Sequence, residues 1–233
     1  MAVAFDAVST GAKGGSGSTL TFAHTCTGSD LLLIVGVESR LNDVTGVTYA
    51  TVSLTQSGTA QSSADGLTHN TVWYLVAPAT GANNIVVTIS GTSFIAACGI
   101  SVTGADQTTP LADSQSATGT NNAPSRTVTG TSTDQLAVDF AGARIPSTET
   151  TTAGADQTER GDVTAVSGDV NQQCFCSTEP GANATLTMSW TIGNNRSWCI
   201  RAVVVNAAAG AAPPAIVGWG PLVDQERTRL VLA

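Results

Sequence analysis

An all-β fold, one large antiparallel β-sandwich followed by a separate C-terminal arm, is predicted by three features of the sequence. Charged residues make up only 11% of the chain, against a usual figure of about 25%. The polar remainder is mostly Thr, Ser, Asn and Gly: Thr suits a pleated, half-buried surface, and the others supply turns. Short runs of alternating or continuous apolar residues recur between Gly/Asn/Pro clusters, and their order in the first half of the chain returns in the second. At 233 residues such a sandwich is within the range of one large domain and needs no disulfide or metal to be stable.

The elements follow in order. Residues 9–18 are Gly- and Ser-rich and read as a loop. Thr19 to His24 alternates polar and apolar, as a half-buried strand does. Leu31 to Val37 is continuously apolar and long enough for a strand buried on both faces. Gly46 to Leu54 holds one or two strands, and Thr71 to Val76 another, ended by Pro78. The turn Thr80-Gly81-Ala82-Asn83 leads into Asn84 to Ile89, and Gly91-Thr92 into Phe94 to Thr103. In the second half, Arg126 to Thr129, Gln135 to Ala143, Gln172 to Thr178, Thr185 to Ile192 and Ser197 to Val205 take the corresponding places.

The second half keeps register with the first. Gly81-Ala82-Asn83 returns as Gly181-Ala182-Asn183, 100 residues on; Cys98 as Cys199, 101 on; Leu31 to Val35 faces Gln135 to Asp139, 104 on. These spacings predict two pseudo-repeats, residues 1–106 and 107–206, each too small to cover its own apolar sheet face, so that packing the two together buries it. A shorter echo, Gly104 to Thr108 and Gly154 to Thr158, lies off that register. It reads as a favoured turn in which a carboxylate or amide bonds the backbone, with too few carboxylates for calcium.

Residues 207–215 are an Ala/Pro linker. The arm, 216–233, has many large apolar residues around a charged patch from Asp224 to Arg229, and is too short to fold alone. Trp219, Leu222, Val223, Leu230 and Leu232 are its candidate partner-binding residues. They pack either back on their own sandwich or on a neighbouring subunit.

Charge and chemistry narrow the function. The net charge is −8, and nine basic residues are scattered without a run, which excludes nucleic acid as a partner. No apolar run approaches the ~18 residues of a membrane span, and Met1 to Asp6 lacks the regions of a signal peptide, so the expectation is no membrane partner and synthesis in a cytoplasm. Five cysteines (Cys26, Cys98, Cys174, Cys176 and Cys199) read first as reduced, buried thiols. A Cys174–Cys199 or Cys176–Cys199 disulfide stands second, and a metal site last, because ligand spacing is wrong. His24 and His69 sit in no nucleophile motif, and the acidic residues stand singly. The expectation is therefore no enzyme and no cofactor. Trp73, Trp190 and Trp198 have apolar neighbours and read as core; were one exposed beside the Gly193-Asn194-Asn195 turn, Trp190 or Trp198 would be where a glycan-binding surface begins.

Four segments carry a family resemblance: Met1 to Ala7, Leu20-Thr-Phe-Ala-His-Thr25, Val72-Trp-Tyr-Leu-Val-Ala-Pro78 and Val102 to Leu111. Together they resemble bacteriophage virion structural proteins of the head-decoration and minor-tail kind, and related repeats of bacterial surface proteins. The resemblance spans about residues 1–206 and carries no catalytic residues. It implies a jelly-roll-like sandwich, location in a virion, and contacts with other capsid or tail proteins. Homo-oligomers, trimers among them, are common in such roles. The expected function is a non-enzymatic virion structural protein, a capsid decoration (cement) protein or tail component, with a carbohydrate-binding or adhesion module as the alternative.

Overall fold

The computed structural model describes residues 1–15, 17–129, 131–145, 149–167 and 170–209. All regular structure among these residues is β. The first half contributes β1 (Ala4–Lys13), β2 (Thr19–Cys26), β3 (Leu32–Arg40), β4 (Val44–Tyr49), β5 (Val52–Ser53), β6 (Thr55–Gln56), β7 (Gln61–Ser62), β8 (Thr68–Val76), β9 (Gly81–Ile89) and β10 (Ile95–Thr103). The second contributes β11 (Leu111–Gly119), β12 (Ser125–Val128), β13 (Leu136–Ile145), β14 (Thr151–Ala153), β15 (Thr158–Ser167), β16 (Val170–Pro180), β17 (Leu186–Ile192) and β18 (Trp198–Val205).

These strands stack in four layers. An inner sheet of order β1-β10-β3-β8-β6, with β7 also on β8, carries an outer sheet of order β2-β9-β4-β5. A second inner sheet, β11-β18-β13-β16-β15, carries a second outer sheet, β12-β17-β14. The named pairings within each sheet are antiparallel. The order β1-β10-β3-β8 and the order β11-β18-β13-β16 take their strands from the same places in the two halves, as do β2-β9-β4 and β12-β17-β14.

Alternation along one strand explains the layering. On β3, Leu33, Val35 and Val37 meet Val47, Tyr49, Ile85 and Val87 of the first outer sheet. Leu32 and Ile34, pointing the other way, meet Val138, Phe140 and Val203 of the opposite half. A strand with apolar partners on both faces has no polar positions to alternate with, which is why Leu31 to Val37 reads as a continuous run. On β18, Val203 and Val205 face the central layer, while Ala202 and Val204 join Val128, Leu186 and Met188 beneath the second outer sheet.

The two inner sheets meet through contacts that come in exchange-related pairs. β1 lies against β15 and β7 against β11; β10 against β16 and β18 against β8; β3 against β16 and β13 against β8. At the middle β3 meets β13. There each strand offers a glycine to a side chain of the other: a β-carbon added to Gly36 would lie 2.1 Å from Phe140 Cγ, and one added to Gly142 would lie 2.3 Å from Glu38 Cδ.

Three inner-sheet edge strands depart from the sequence reading. The segment expected as a loop over 9–18 is strand as far as Lys13, because β1 pairs with β10 along its length. Gly11 is needed there for packing rather than turning, since its β-carbon would lie 2.5 Å from the Phe22 ring. β11 and β15 are polar and half-exposed, and each is held by one inner neighbour, β18 and β16. Gly81-Ala82-Asn83 opens β9, whereas Gly181-Ala182-Asn183 precedes β17. The arm residues Trp219, Leu222, Val223, Leu230 and Leu232 lie outside the described residues.

Replacing Gly36 by alanine should force the Phe140 ring out of its rotamer and destabilise the protein by about 3 kcal/mol, the upper part of the usual overpacking range. Urea denaturation of Gly36→Ala, Phe140→Leu and the double variant checks this. The double variant should be more stable than the sum of the single losses, because the smaller side chain relieves the clash.

Candidate functional site

The chemistry-bearing side chains divide between the interior and one end of the molecule. All five cysteines are free and buried. Cys98, Cys174 and Cys176 sit among the apolar side chains of the central layer, and Cys26 in the first half's own core. Burial pushes the Cys174 and Cys199 thiols well above their ordinary range, so they remain protonated and act as small apolar groups.

His24 on β2 is buried, and its Nδ1 lies 2.8 Å from the Ser9 hydroxyl of β1. Burial lowers the imidazole pKa, with Asp6 opposing, so the ring is neutral near pH 7. Among the described residues its Nε2 has no hydrogen-bond partner. The pair joins the edge of the inner sheet to the outer sheet. His69 instead stands at the surface, 2.8 Å from Asp43.

Two acids clamp the halves in the same way. Asp6 accepts from the Thr27 backbone N–H at 2.9 Å, from the Thr27 hydroxyl and from the Ser101 hydroxyl at 2.6 Å. Asp113 accepts from the Thr129 N–H at 2.9 Å and hydroxyl at 3.2 Å, with Gln115 and Ser114 besides. Thr27 follows β2 and Thr129 follows β12, so each carboxylate ties the first strand of its half to the end of the second. Both sit at bulges, Phe5/Ala7 against β10 and Leu111/Asp113 against β18. Partial burial opposes ionisation of each, but the donated hydrogen bonds outweigh it and hold both acids below the ordinary carboxylate range.

The tryptophans proposed as a glycan surface are core. Trp190 is 2% exposed and donates its indole N–H to Asp139 at 2.6 Å; Trp198 is 5% exposed and donates to Asn121 at 3.0 Å. Trp190 also packs edge-on against Phe175, with ring centroids 4.7 Å apart. Neither ring presents a face to solvent, because Trp190 on β17 of the outer sheet and Trp198 on β18 of the inner sheet point into the one apolar cluster between those sheets.

The chain ends of the described sandwich meet at one pole. The Met1 amino group donates to Ala208 O at 3.2 Å. Ala105 bridges Ala207, Asp106 N donates to Asn206 O at 2.8 Å and Ala208 N to Gly104 O at 2.8 Å. The connection between the halves thus runs beside both ends. The turn reading of Gly104 to Thr108 is realised there: Asp106 Oδ1 accepts from the Thr108 and Thr109 N–H groups at 2.7 and 2.9 Å. In the sister segment the turn is closed by the backbone, Gln157 N donating to Gly154 O at 3.3 Å, and the Gln157 side chain instead reaches β17, its Oε1 accepting from Ser189 N at 2.7 Å. β1, β3, β11 and β13 all start at this pole. At the opposite pole the loops of the two halves touch, with Ser197 Oγ accepting from Asp65 N at 3.1 Å. Glu149 there pairs with Arg196.

No protein-family model, curated protein or solved structure matches the chain.

Asp139 gives a pH-dependent signature of the second half's core. It is fully buried and accepts from Ser177 N (2.8 Å), Ser177 Oγ (2.7 Å) and Trp190 Nε1. Burial nonetheless outweighs these donors and pushes its pKa from 3.8 up to about 7. The folded state therefore holds a proton that the unfolded state has lost, so this residue's contribution is full below pH 3.8 and disappears as pH rises through about 7. The difference is on the order of 4 kcal/mol. Asp139→Asn should be less stable than wild type at pH 4, having lost the acceptor for Trp190, and the gap should narrow towards pH 7. Urea denaturation of both proteins across that range reads it.

Proposed function

We propose that this chain is a virion structural protein, a capsid decoration protein or tail component, that works through protein–protein contacts and not through catalysis. The observation that carries the reading is the gathering of residue 1, the inter-half connection and residue 208 at one pole. A segment continuing from there starts at a fixed point on a closed, four-layered body, as suits an anchor for assembly. The burial of every cysteine, His24, Glu38 and Asp139 supports a structural role, because these groups are engaged in packing and internal hydrogen bonds.

The body itself is best read as two copies of one unit. The sheet orders β1-β10-β3-β8 and β2-β9-β4-β5 support a jelly-roll reading, and the corresponding orders β11-β18-β13-β16 and β12-β17-β14 support the same reading for the second half. The paired bulges and the Asp6–Thr27 and Asp113–Thr129 clamps support duplication independently. The exchange-related contacts between the inner sheets support an internal two-fold relation between the halves.

The arm, with Trp219, Leu222, Val223, Leu230 and Leu232, is assigned the partner contact. A protein ending at Ala209 should keep its circular dichroism spectrum and be monomeric by light scattering, while the full chain forms a defined homo-oligomer. Equal masses for the two proteins, together with equal binding to purified particles, would overturn the assignment.

A further inference from the structure

The centre of the molecule holds a carboxyl group between the two inner sheets, where the apolar side chains and thiols of the central layer give way to Asn70, Thr68 and Gln172. Glu38 is fully buried, and its Cδ fills the space above Gly142 of the opposite half. Asn70 Nδ2 donates both to Glu38 Oε1 and to Phe140 O, the latter at 3.3 Å, so one amide touches both halves. The Cys199 sulfur lies 3.6 Å from Glu38 Oε2.

No positive charge answers this carboxyl among the described residues. In its own sheet it is flanked by Ala96 of β10 and Asn70 of β8. Across the layer stands Gly142 of β13, flanked by Cys174 of β16 and Cys199 of β18. The next residues along are Arg40 on β3, Arg144 on β13 and Arg201 on β18. Arg40 lies over the Phe94 ring, Arg144 acts on Asp65, and Arg201 reaches Ser114 Oγ at 3.1 Å and the Thr59 carbonyl. The ion pairs among the described residues are His69–Asp43 and Arg196–Glu149. An ionised Glu38 would thus be a buried charge without a partner, which is strongly unfavourable.

We propose that the proton on Glu38 latches the two halves together: neutral, it lets the central layer close over it, and its loss in base lets the halves part along that layer while each keeps its own two sheets. Burial, opposed by Asn70 and Cys199, holds the carboxyl well above its ordinary 4.5 in the closed form. Opening returns it to water, where it ionises above that value. Closure is therefore fully favoured below pH 4.5 and lost progressively as pH rises. The opening constant should grow about tenfold per pH unit until the closed form itself ionises.

The cysteines make this readable. Cys98, Cys174 and Cys176 lie in the central layer and Cys199 beside Glu38, whereas Cys26 lies between the two sheets of the first half. The full chain is treated with iodoacetamide between pH 6 and 9, and alkylation at each cysteine is followed by peptide mass spectrometry. The rate of the four central thiols relative to Cys26 cancels the shared pH dependence of thiol chemistry. In wild type that ratio should climb by up to tenfold per pH unit. In Glu38→Gln, and in Glu38→Met as a second folded variant, it should stay flat. A flat wild-type ratio, or the wild-type climb persisting in either folded variant, overturns the latch.

Discussion

A β-sheet can be buried on both faces only if its neighbours on each side accept its side chains, and the meeting of β3 with β13 sets that condition here. The two strands approach closely because Gly36 makes room for Phe140 and Gly142 for Glu38. The closeness brings Ile34, Ile100, Val138 and Val203 into one apolar layer, shared by both halves. Without that layer each half would expose a whole sheet face of Leu, Ile and Val, a contiguous apolar area of the kind monomeric proteins do not leave open. The outer sheets then have only to cover the remaining face of each inner sheet, and short strands such as β5, β12 and β14 suffice. The same pairing makes the halves non-interchangeable. Two faces each with glycine at this point would leave a void, and two each with phenylalanine would collide.

Burying so much sheet carries polar groups inward, and the structure meets this unevenly. Towards β7 and β11 the central layer turns polar, with Ser57 and Ser114 2.9 Å apart, Ser116 donating to Gln61 and Arg201 crossing from β18 to the loop of the first half. At the opposite margin Arg160 of β15 stacks 3.9 Å from the Phe5 ring of β1. These contacts let water-facing edges close over an apolar middle. Glu38 and Asp139 are different: both carboxyls are fully buried, and burial outweighs their hydrogen bonds. Holding them neutral avoids the larger cost of an unpaired buried charge and makes the interior sensitive to base.

The sequence announces the inner strands and hides the edges. Leu31 to Val37, Phe94 to Thr103 and Ser197 to Val205 are legible because a strand buried on both faces must be apolar throughout. β11 and β15 are illegible for the opposite reason: Asp113, Ser114, Gln115 and Ser116, or Glu159, Arg160 and Asp162, face the margins and show no alternation. Their strand character comes from the ladder with β18 and β16. Trp190 and Trp198 were legible as core through their apolar neighbours; the Asp139 and Asn121 acceptors that satisfy their indole N–H groups are distant in sequence and could not be paired beforehand. The carboxylate clamps were missed because Asp6 and Asp113 stand alone in sequence. The one signal was the threonine just after the following strand, Thr27 after β2 and Thr129 after β12.

The edges also bear on how such a body would assemble. An open sheet edge is a template for a strand from another molecule, and a bulge or a charge is how native proteins blunt it. β1 is bulged at Phe5/Ala7, β11 at Leu111/Asp113 and β15 at Glu159/Gly161. In each case charge lies at or beside the bulge: Asp6 on β1, Asp113 on β11, Glu159 and Arg160 on β15. Moreover β1 lies against β15 and β11 against β7, so each margin of the central layer is partly covered by the other half. Strand addition at these margins is thus opposed by both geometry and charge. The proposed contacts with neighbours are therefore left to the two poles: one gathers the chain ends and the inter-half connection, the other the loops of the two halves that touch at Asp65 and Ser197. A segment leaving Ala208 starts from a point tied to Met1 and Gly104 by backbone hydrogen bonds, so a force on it is passed to both halves at once.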